Sequence, residues 1–80
     1  MSGTRVEVRV EDAEDDAEIE VIGIRVQPGA HVEEGETLLE VATDKANMEI
    51  LAPVAGSVAE ITVAEGDIVV GDRVLVVIIT

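Results

Sequence analysis

Residues 19–41 read "IEVIGIRVQPGAHVEEGETLLEV", and residues 57–78 read "SVAEITVAEGDIVVGDRVLVVI". The second stretch lies over the first with Gly29 on Gly66 and Val32 on Val69. With one residue dropped between the glycines, Gly35 falls on Gly71 and Leu39 on Leu75. Within each copy the apolar residues alternate with polar ones or gather into short β-branched runs, which is the period of strands rather than of helix. Two copies of one strand pattern imply two similar sheets related by an approximate two-fold axis.

The same period runs through the rest of the chain. "RVEVRVE" (5–11) alternates strictly, and "TLLEVAT" (37–43), "NMEILA" (47–52) and "RVLVVIIT" (73–80) are short runs rich in Leu and β-branched residues. Gly23, Gly29, Gly35, Gly56, Gly66 and Gly71 punctuate them, and Pro28 and Pro53 bar continuation of a central strand. The expected fold is all-β: a flattened β-barrel of two antiparallel sheets of about four strands, with helix confined to at most a turn. Val26, Val32, Leu39, Val41, Val58, Ile61, Val63, Val69, Leu75 and Val77 are the expected buried residues.

Length and composition narrow the rest. Eighty residues leave room for one core, so residues 1–80 read as a single domain. With no Phe, Tyr, Trp or Cys, that core is aliphatic and has neither a disulfide nor a thiolate metal site. The net charge of −13 disfavours nucleic acid, whose phosphates it would repel. It favours solubility and steers encounters with basic protein surfaces. No apolar run approaches the ~20 residues of a membrane span, and "MSGTRVEV" (1–8) lacks a signal-peptide core. A soluble intracellular domain is expected. "EDAEDDAE" (11–18) holds six acids in eight residues. Without the glycine and regular ligand alternation of a calcium loop, it reads as a solvated surface loop, and no metal site is expected.

Between the two copies lies one unrepeated segment, residues 42–56, and it holds Lys45, the only lysine. Strand-like runs flank "DKA" (44–46), and Asp44 is a favoured turn residue, so a hairpin with Lys45 at or beside its tip follows. A lysine so placed is exposed and chemically accessible.

The run "VATDKANMEILAPVAGSVAEI" (41–61) resembles the attachment motif of lipoyl domains, the swinging-arm carriers of 2-oxo acid dehydrogenase complexes. Gly35 stands ten residues before Lys45 and Gly56 eleven after it, as in that family; Met48, Glu49, Pro53 and Ala55 also fall on its pattern. The resemblance covers residues 19–80. It implies the barrel-sandwich hybrid fold and a carrier that is not itself an enzyme, part of a dihydrolipoyl acyltransferase component. It makes Lys45 the site of covalent lipoic acid attachment, with Asp44 and Ala46 read by the modifying enzyme. The partners implied are a lipoylating enzyme, a thiamine-dependent 2-oxo acid decarboxylase, the dihydrolipoyl acyltransferase core and dihydrolipoyl dehydrogenase. The domain itself would be monomeric and cytoplasmic, or in the mitochondrial matrix of a eukaryote.

Three departures from the family pattern stand out. Ala42 replaces a Glu, Gly29-Ala30 replaces Gly-Asp, and Glu11-Asp12 replaces Met-Pro. Two other readings share the architecture. A biotinyl carrier domain of a carboxylase would flank its lysine with methionines, whereas here the neighbours are Asp44 and Ala46. An unmodified structural barrel-sandwich module would lose the lysine. Met48 is expected to pack partly buried in the hairpin. His31 reads as a surface residue in a turn, Ser57 as a strand start without a nearby base, and no convergent pair of carboxylates emerges from the spacing.

Overall fold

The computed structural model describes residues 3–10 and 17–80. The greater part of the acidic stretch 11–18, with Glu11 and Asp12, lies outside the described residues. Eight strands follow in order: β1 (Arg5–Val8), β2 (Glu18–Ile24), β3 (His31–Val32), β4 (Thr37–Ala42), β5 (Asn47–Leu51), β6 (Gly56–Ile61), β7 (Ile68–Val70) and β8 (Val76–Ile79). They form two four-stranded sheets, β1-β8-β6-β3 and β5-β4-β2-β7, antiparallel throughout. The described residues contain no helix.

The two-fold relation holds, with a simpler alignment than the sequence suggested. The displacement that carries Gly29 onto Gly66 carries every equivalent feature without a gap. Gly29 N–H donates to the Val58 carbonyl (2.7 Å) and Val58 N–H to that of Ala30 (2.8 Å); Gly66 N–H donates to the Val21 carbonyl (2.7 Å) and Val21 N–H to that of Asp67 (2.8 Å). The bulge at Ile22 in β2 matches the bulge at Ala59 in β6. Arg25 N–H bonds the Leu38 carbonyl as Thr62 N–H bonds that of Leu75. Leu38 and Val76 are therefore the mates of Leu75 and Leu39, and the pairing of Gly35 with Gly71 is a sequence coincidence. Gly35 adopts φ +87° and matches Asp72, whereas Gly71 matches Glu34 and has no positive φ. Gly29 and Gly66 are true mates, both at φ +92°, a conformation that carries little cost only without a Cβ.

Each half gives a short strand to the other half's sheet. β3 follows β2 in the chain but pairs with β6, and β7 follows β6 but pairs with β2. These strands of two and three residues carry too little periodicity to stand out in the sequence. His31, expected in a turn, is an exposed residue of β3 opposite Ser57. Its Nε2 lies 2.6 Å from Glu33 Oε2.

The core is aliphatic, and Ile19, Val21, Leu38, Leu39, Val41, Leu75, Val76 and Ile78 are among its fully buried members. Burial of such a side chain contributes roughly 1.5–3 kcal/mol, which is how the sheets hold together without an aromatic residue. Of the residues expected inside, Val26 and Ile61 are only half-buried, packed against the core from its rim. Val77 is buried but stands apart from the cluster that Val76 and Ile78 join. Its register places it between Glu7 and Glu60 on the opposite face of β8. The alternation seen from Leu75 breaks before β8 begins at Val76, so the inward positions shift by one.

Gly56, at the start of β6, lies close against β8. A Cβ built there would lie 2.6 Å from the Ile79 carbonyl oxygen and 2.8 Å from Ile78 Cγ2. At Gly23, in β2, a Cβ would meet nothing within 4 Å. Gly56→Ala is expected to destabilise by about 1–3 kcal/mol through overpacking, lowering Tm by at least ~4 °C for a domain of this size. Gly23→Ala should be neutral or slightly stabilising, by up to about 1 kcal/mol. Paired thermal melts test this; equal Tm values for the two variants would contradict the close contact.

Candidate functional site

Residues 43–46 connect β4 to β5 and form the tip of the hairpin expected from the sequence. The last ladder pair is Ala42 opposite Asn47. Beyond it Thr43 N–H donates to the Ala46 carbonyl (2.9 Å), which leaves Asp44 and Lys45 as the two residues at the bend. Asp44, Lys45 and Ala46 are all exposed.

The turn is organised by Thr43, which sequence reasoning did not single out. Its hydroxyl donates to the Ala46 carbonyl (2.9 Å) and accepts from the backbone N–H of Lys45 and of Ala46 (3.2 Å each). Two amides that a tight bend would otherwise leave to water are thereby paired, and the Ala46 carbonyl, which already accepts the Thr43 N–H, gains a second donor. Serine and threonine hydroxyls make such local bonds to the residues that follow them, so "TD" before the lysine carried a readable signal. Asp44 contributes no side-chain hydrogen bond to the turn among the described residues, so its carboxylate stands beside the lysine as an exposed charge rather than as a brace.

Lys45 differs from every other cation in the chain. Arg5 and Arg9 approach Glu7 (3.6 and 3.1 Å), Arg25 pairs with Glu40, and Arg73 donates to the Thr62 carbonyl (2.9 Å). Among the described residues only the Lys45 amine has no acceptor or ion-pair partner.

Asn47 and Met48 begin β5. Met48 lies opposite Val41 at the edge of the sheet and is 40% exposed, more open than the packing expected of it. A cleft of about 620 Å³ opens between the edge strands β1 and β5, lined among others by Val6, Val8, Met48 and Ile50. Asp44, Lys45 and Ala46 do not line it. The lysine is displayed on a projection, not enclosed in a pocket, which suits a group that other proteins must reach.

The role of Thr43 is testable without any ligand. Thr43→Val keeps the branched shape and removes the hydroxyl. It is expected to cost about 0.5–2 kcal/mol in denaturant unfolding and to speed amide exchange at Lys45 and Ala46 specifically. Unchanged exchange at both amides would show that the hydroxyl does not hold the turn.

Residues 4–78 match the family described as "Biotin-requiring enzyme", the biotin/lipoyl family. The chain is 48% identical over 56 residues to the dihydrolipoyllysine-residue acetyltransferase component of the pyruvate dehydrogenase complex of Mycoplasma capricolum, covering 69% of this chain and 13% of that protein. It is 37% identical over 71 residues to the dihydrolipoyllysine-residue succinyltransferase component of the 2-oxoglutarate dehydrogenase complex of Cupriavidus necator, covering 88% and 17%. The chain thus spans less than a fifth of the length of these relatives. Among solved structures, the lipoyl domain of the 2-oxoglutarate dehydrogenase complex of Azotobacter vinelandii superposes with TM-score 0.75 at 32% identity, covering 94% of this chain and 95% of that one. Kluyveromyces lactis urea carboxylase superposes with TM-score 0.78 at 21% identity, covering 95% of this chain and 6% of that one, a likeness of fold alone. The chain belongs to the biotin/lipoyl attachment family and, within it, is a lipoyl-type domain: a small carrier, not a catalyst.

Proposed function

We propose that Lys45 carries a lipoyl group, joined as an amide between the lipoate carboxyl and Nζ. The observation that carries this reading is the exposed amine of Lys45, without a partner among the described residues, at the tip of a turn built by Thr43, in a chain whose relatives are named for the lipoyllysine residue they bear. The biotinyl alternative shares the fold but has no support from the residues beside the lysine, which are Asp44 and Ala46 rather than methionines.

Amide formation removes the positive charge, and the bound cofactor supplies dithiolane chemistry that no side chain of this cysteine-free chain has. The protein's part is presentation. Its turn holds the tether at one place while its acidic surface governs which enzymes approach. The partners proposed are a ligase that attaches the group, a thiamine-dependent 2-oxo acid decarboxylase that loads it, a dihydrolipoyl acyltransferase that unloads it, and a dihydrolipoyl dehydrogenase that reoxidises it by thiol–disulfide exchange. Tethering makes each visit effectively intramolecular, at effective concentrations on the order of mM for a suitable linker.

Position within the turn, not mere exposure, should decide modification. Lys45 and Asp44 are adjacent at the bend, so exchanging them moves the amine by one place, and a small misplacement of a reacting group can cost on the order of a hundredfold in rate. The double exchange Asp44→Lys with Lys45→Asp is expected to fold normally, since exposed turn substitutions usually cost within about 0.5 kcal/mol. With ligase, ATP and lipoate it should gain little or no mass, while Lys45→Ala gains none. Modification of the exchanged protein at the parental rate would show that any accessible amine suffices.

The charge of −13 makes a second expectation. Attraction to a basic docking surface is screened over about 8–10 Å at 0.10–0.15 M salt, so reductive acylation of the lipoylated domain should slow from low to physiological ionic strength. A rate flat across that range would remove long-range steering from the account.

A further inference from the structure

The cleft between β1 and β5 separates two open sheet edges, since each of these strands pairs on one side alone among the described residues. The ladders say which backbone groups face it. The carbonyls of Thr4 and Val8 accept from Thr80 and Leu75 on the β8 side, so by ladder alternation Arg5 and Glu7 turn their backbone groups to the open side. On β5 the Ala46 carbonyl accepts from Thr43, and that of Ala52 from Gly35. By the same alternation Asn47, Glu49 and Leu51 turn their N–H and C=O groups to the open side. A row of unpaired groups of this kind is a template for one more strand.

The internal two-fold relates the two edges residue by residue. Asn47 opposite Ala42 and Glu49 opposite Glu40 match Arg5 opposite Ile79 and Glu7 opposite Val77, and Leu51 then matches Arg9. On β1 these positions form a charged guard. Arg5 and Arg9 both approach Glu7, and Arg9 Nε also donates to the Asp72 carbonyl (3.1 Å). Charged side chains along an edge keep it from accepting a further strand. β5 lacks the guard: Asn47 is neutral, Leu51 is aliphatic and 48% exposed, and Glu49 has no ion-pair partner among the described residues. Glu34, which also lines the cleft, has none either. Ile50 and Val8 are buried, so by alternation Met48 and Val6 share their inner face, and these four make the apolar floor of the cleft.

We propose that the open edge of β5 accepts an extended segment of another protein as an added strand, one in which apolar residues alternate with basic ones. The segment runs antiparallel to β5, as every other pair in the molecule does. Its backbone bonds to Asn47, Glu49 and Leu51, its apolar side chains rest on Met48 and Val6, and its basic ones meet Glu49 and Glu34. Successive side chains of a strand point to opposite faces, so an apolar floor below an acidic rim selects that alternation. β5 spans five residues, so the partner engages over about five residues, or ~17 Å of extended chain. A second copy of this chain does not fit, because β5 against β5 sets Glu49 beside Glu49 between two chains of net charge −13. Asp44, Lys45 and Ala46 do not line the cleft, and the site does not depend on what the lysine carries.

The test titrates the intact, isotopically labelled chain with a synthetic seven-residue peptide of alternating lysine and valine, at about 0.15 M salt to screen loose attraction. Saturable amide shifts centred on Asn47, Glu49 and Leu51 are expected, with slowed hydrogen exchange at the Glu49 and Leu51 amides. Lys45→Ala should bind the peptide as the parent does. In the antiparallel pairing a lysine lies opposite Glu49 and turns its N–H to β5, so N-methylation at the lysines should weaken binding about tenfold or more. N-methylation at the valines, whose N–H groups face away from β5, should change it less than about threefold. Asn47→Arg with Leu51→Arg rebuilds on β5 the charges that β1 carries and should also weaken binding about tenfold or more. Four results overturn the proposal: no saturable shift up to about 1 mM peptide, shifts centred on Arg5 and Glu7, equal binding of a peptide with its valines and lysines in separate blocks, or no effect of N-methylation at the lysines. The peptide variants leave the protein untouched, so they decide the matter even if the double arginine variant does not fold.

Discussion

Each half of the chain completes the other half's sheet, and the rest of the structure depends on that exchange. The backbone bonds of Gly29 and Ala30 to Val58, and of Gly66 and Asp67 to Val21, are the two places where the crossing is fastened. They put β3 on β6 and β7 on β2. Both crossings need a residue at φ +92°, and both have glycine there. With no aromatic residue and no disulfide, a small core of Val, Ile and Leu holds together because neither sheet can separate without losing a strand. One difference between the crossings is local: Asp67 also accepts the Ala64 N–H (2.9 Å), a bond that Ala30 cannot offer at the matching turn.

The lysine turn is best understood as one end of this symmetric object. Its two-fold counterpart is the meeting of Thr4 and Thr80. Thr80 N–H donates to the Thr4 carbonyl (3.1 Å) and Thr4 N–H to the Thr80 hydroxyl (3.3 Å). At the hairpin, Thr43 and Ala46 make the same two bonds. The scaffold therefore closes both ends in one way, and at one of them two residues, Asp44 and Lys45, bridge the gap. A projecting amine held by a rigid base follows from this, and a tethered carrier group gains a defined origin for its reach. The same symmetry separates what the fold requires from what it merely permits, since His31 and Glu33 occupy the positions that Ile68 and Val70 hold beside the lysine-bearing strands.

Much of this was legible in the residues. Strict alternation located β1, looser alternation located β2 and β6, and turn residues bounded β4 and β5. The motif around Lys45 identified the hairpin and its exposed tip. What escaped is equally specific. β3 and β7 are formed by tertiary pairing and are too short for a period to register. The glycines Gly35 and Gly71 drew the repeat out of alignment because one is needed for a left-handed turn and the other is not. Val77 is buried as expected, while the change of phase before Val76 that turns Val76 and Ile78 into the core left no mark in the pattern. Asp44 drew attention as a turn former while the bonds were made by the threonine before it. In each case local pattern competed with a contact made by a distant or neighbouring backbone group, and the contact prevailed.

The central claim is that this scaffold exists to present one lysine for lipoylation. Its most direct test is the mass of the intact chain isolated from lipoate-fed cells that express the lipoylating enzyme, followed by fragmentation to locate any increment. The account predicts a single lipoyl increment on Lys45, abolished by no change outside residues 43–46 that leaves the fold intact. An unmodified chain under those conditions, or a biotinyl increment in its place, would contradict it.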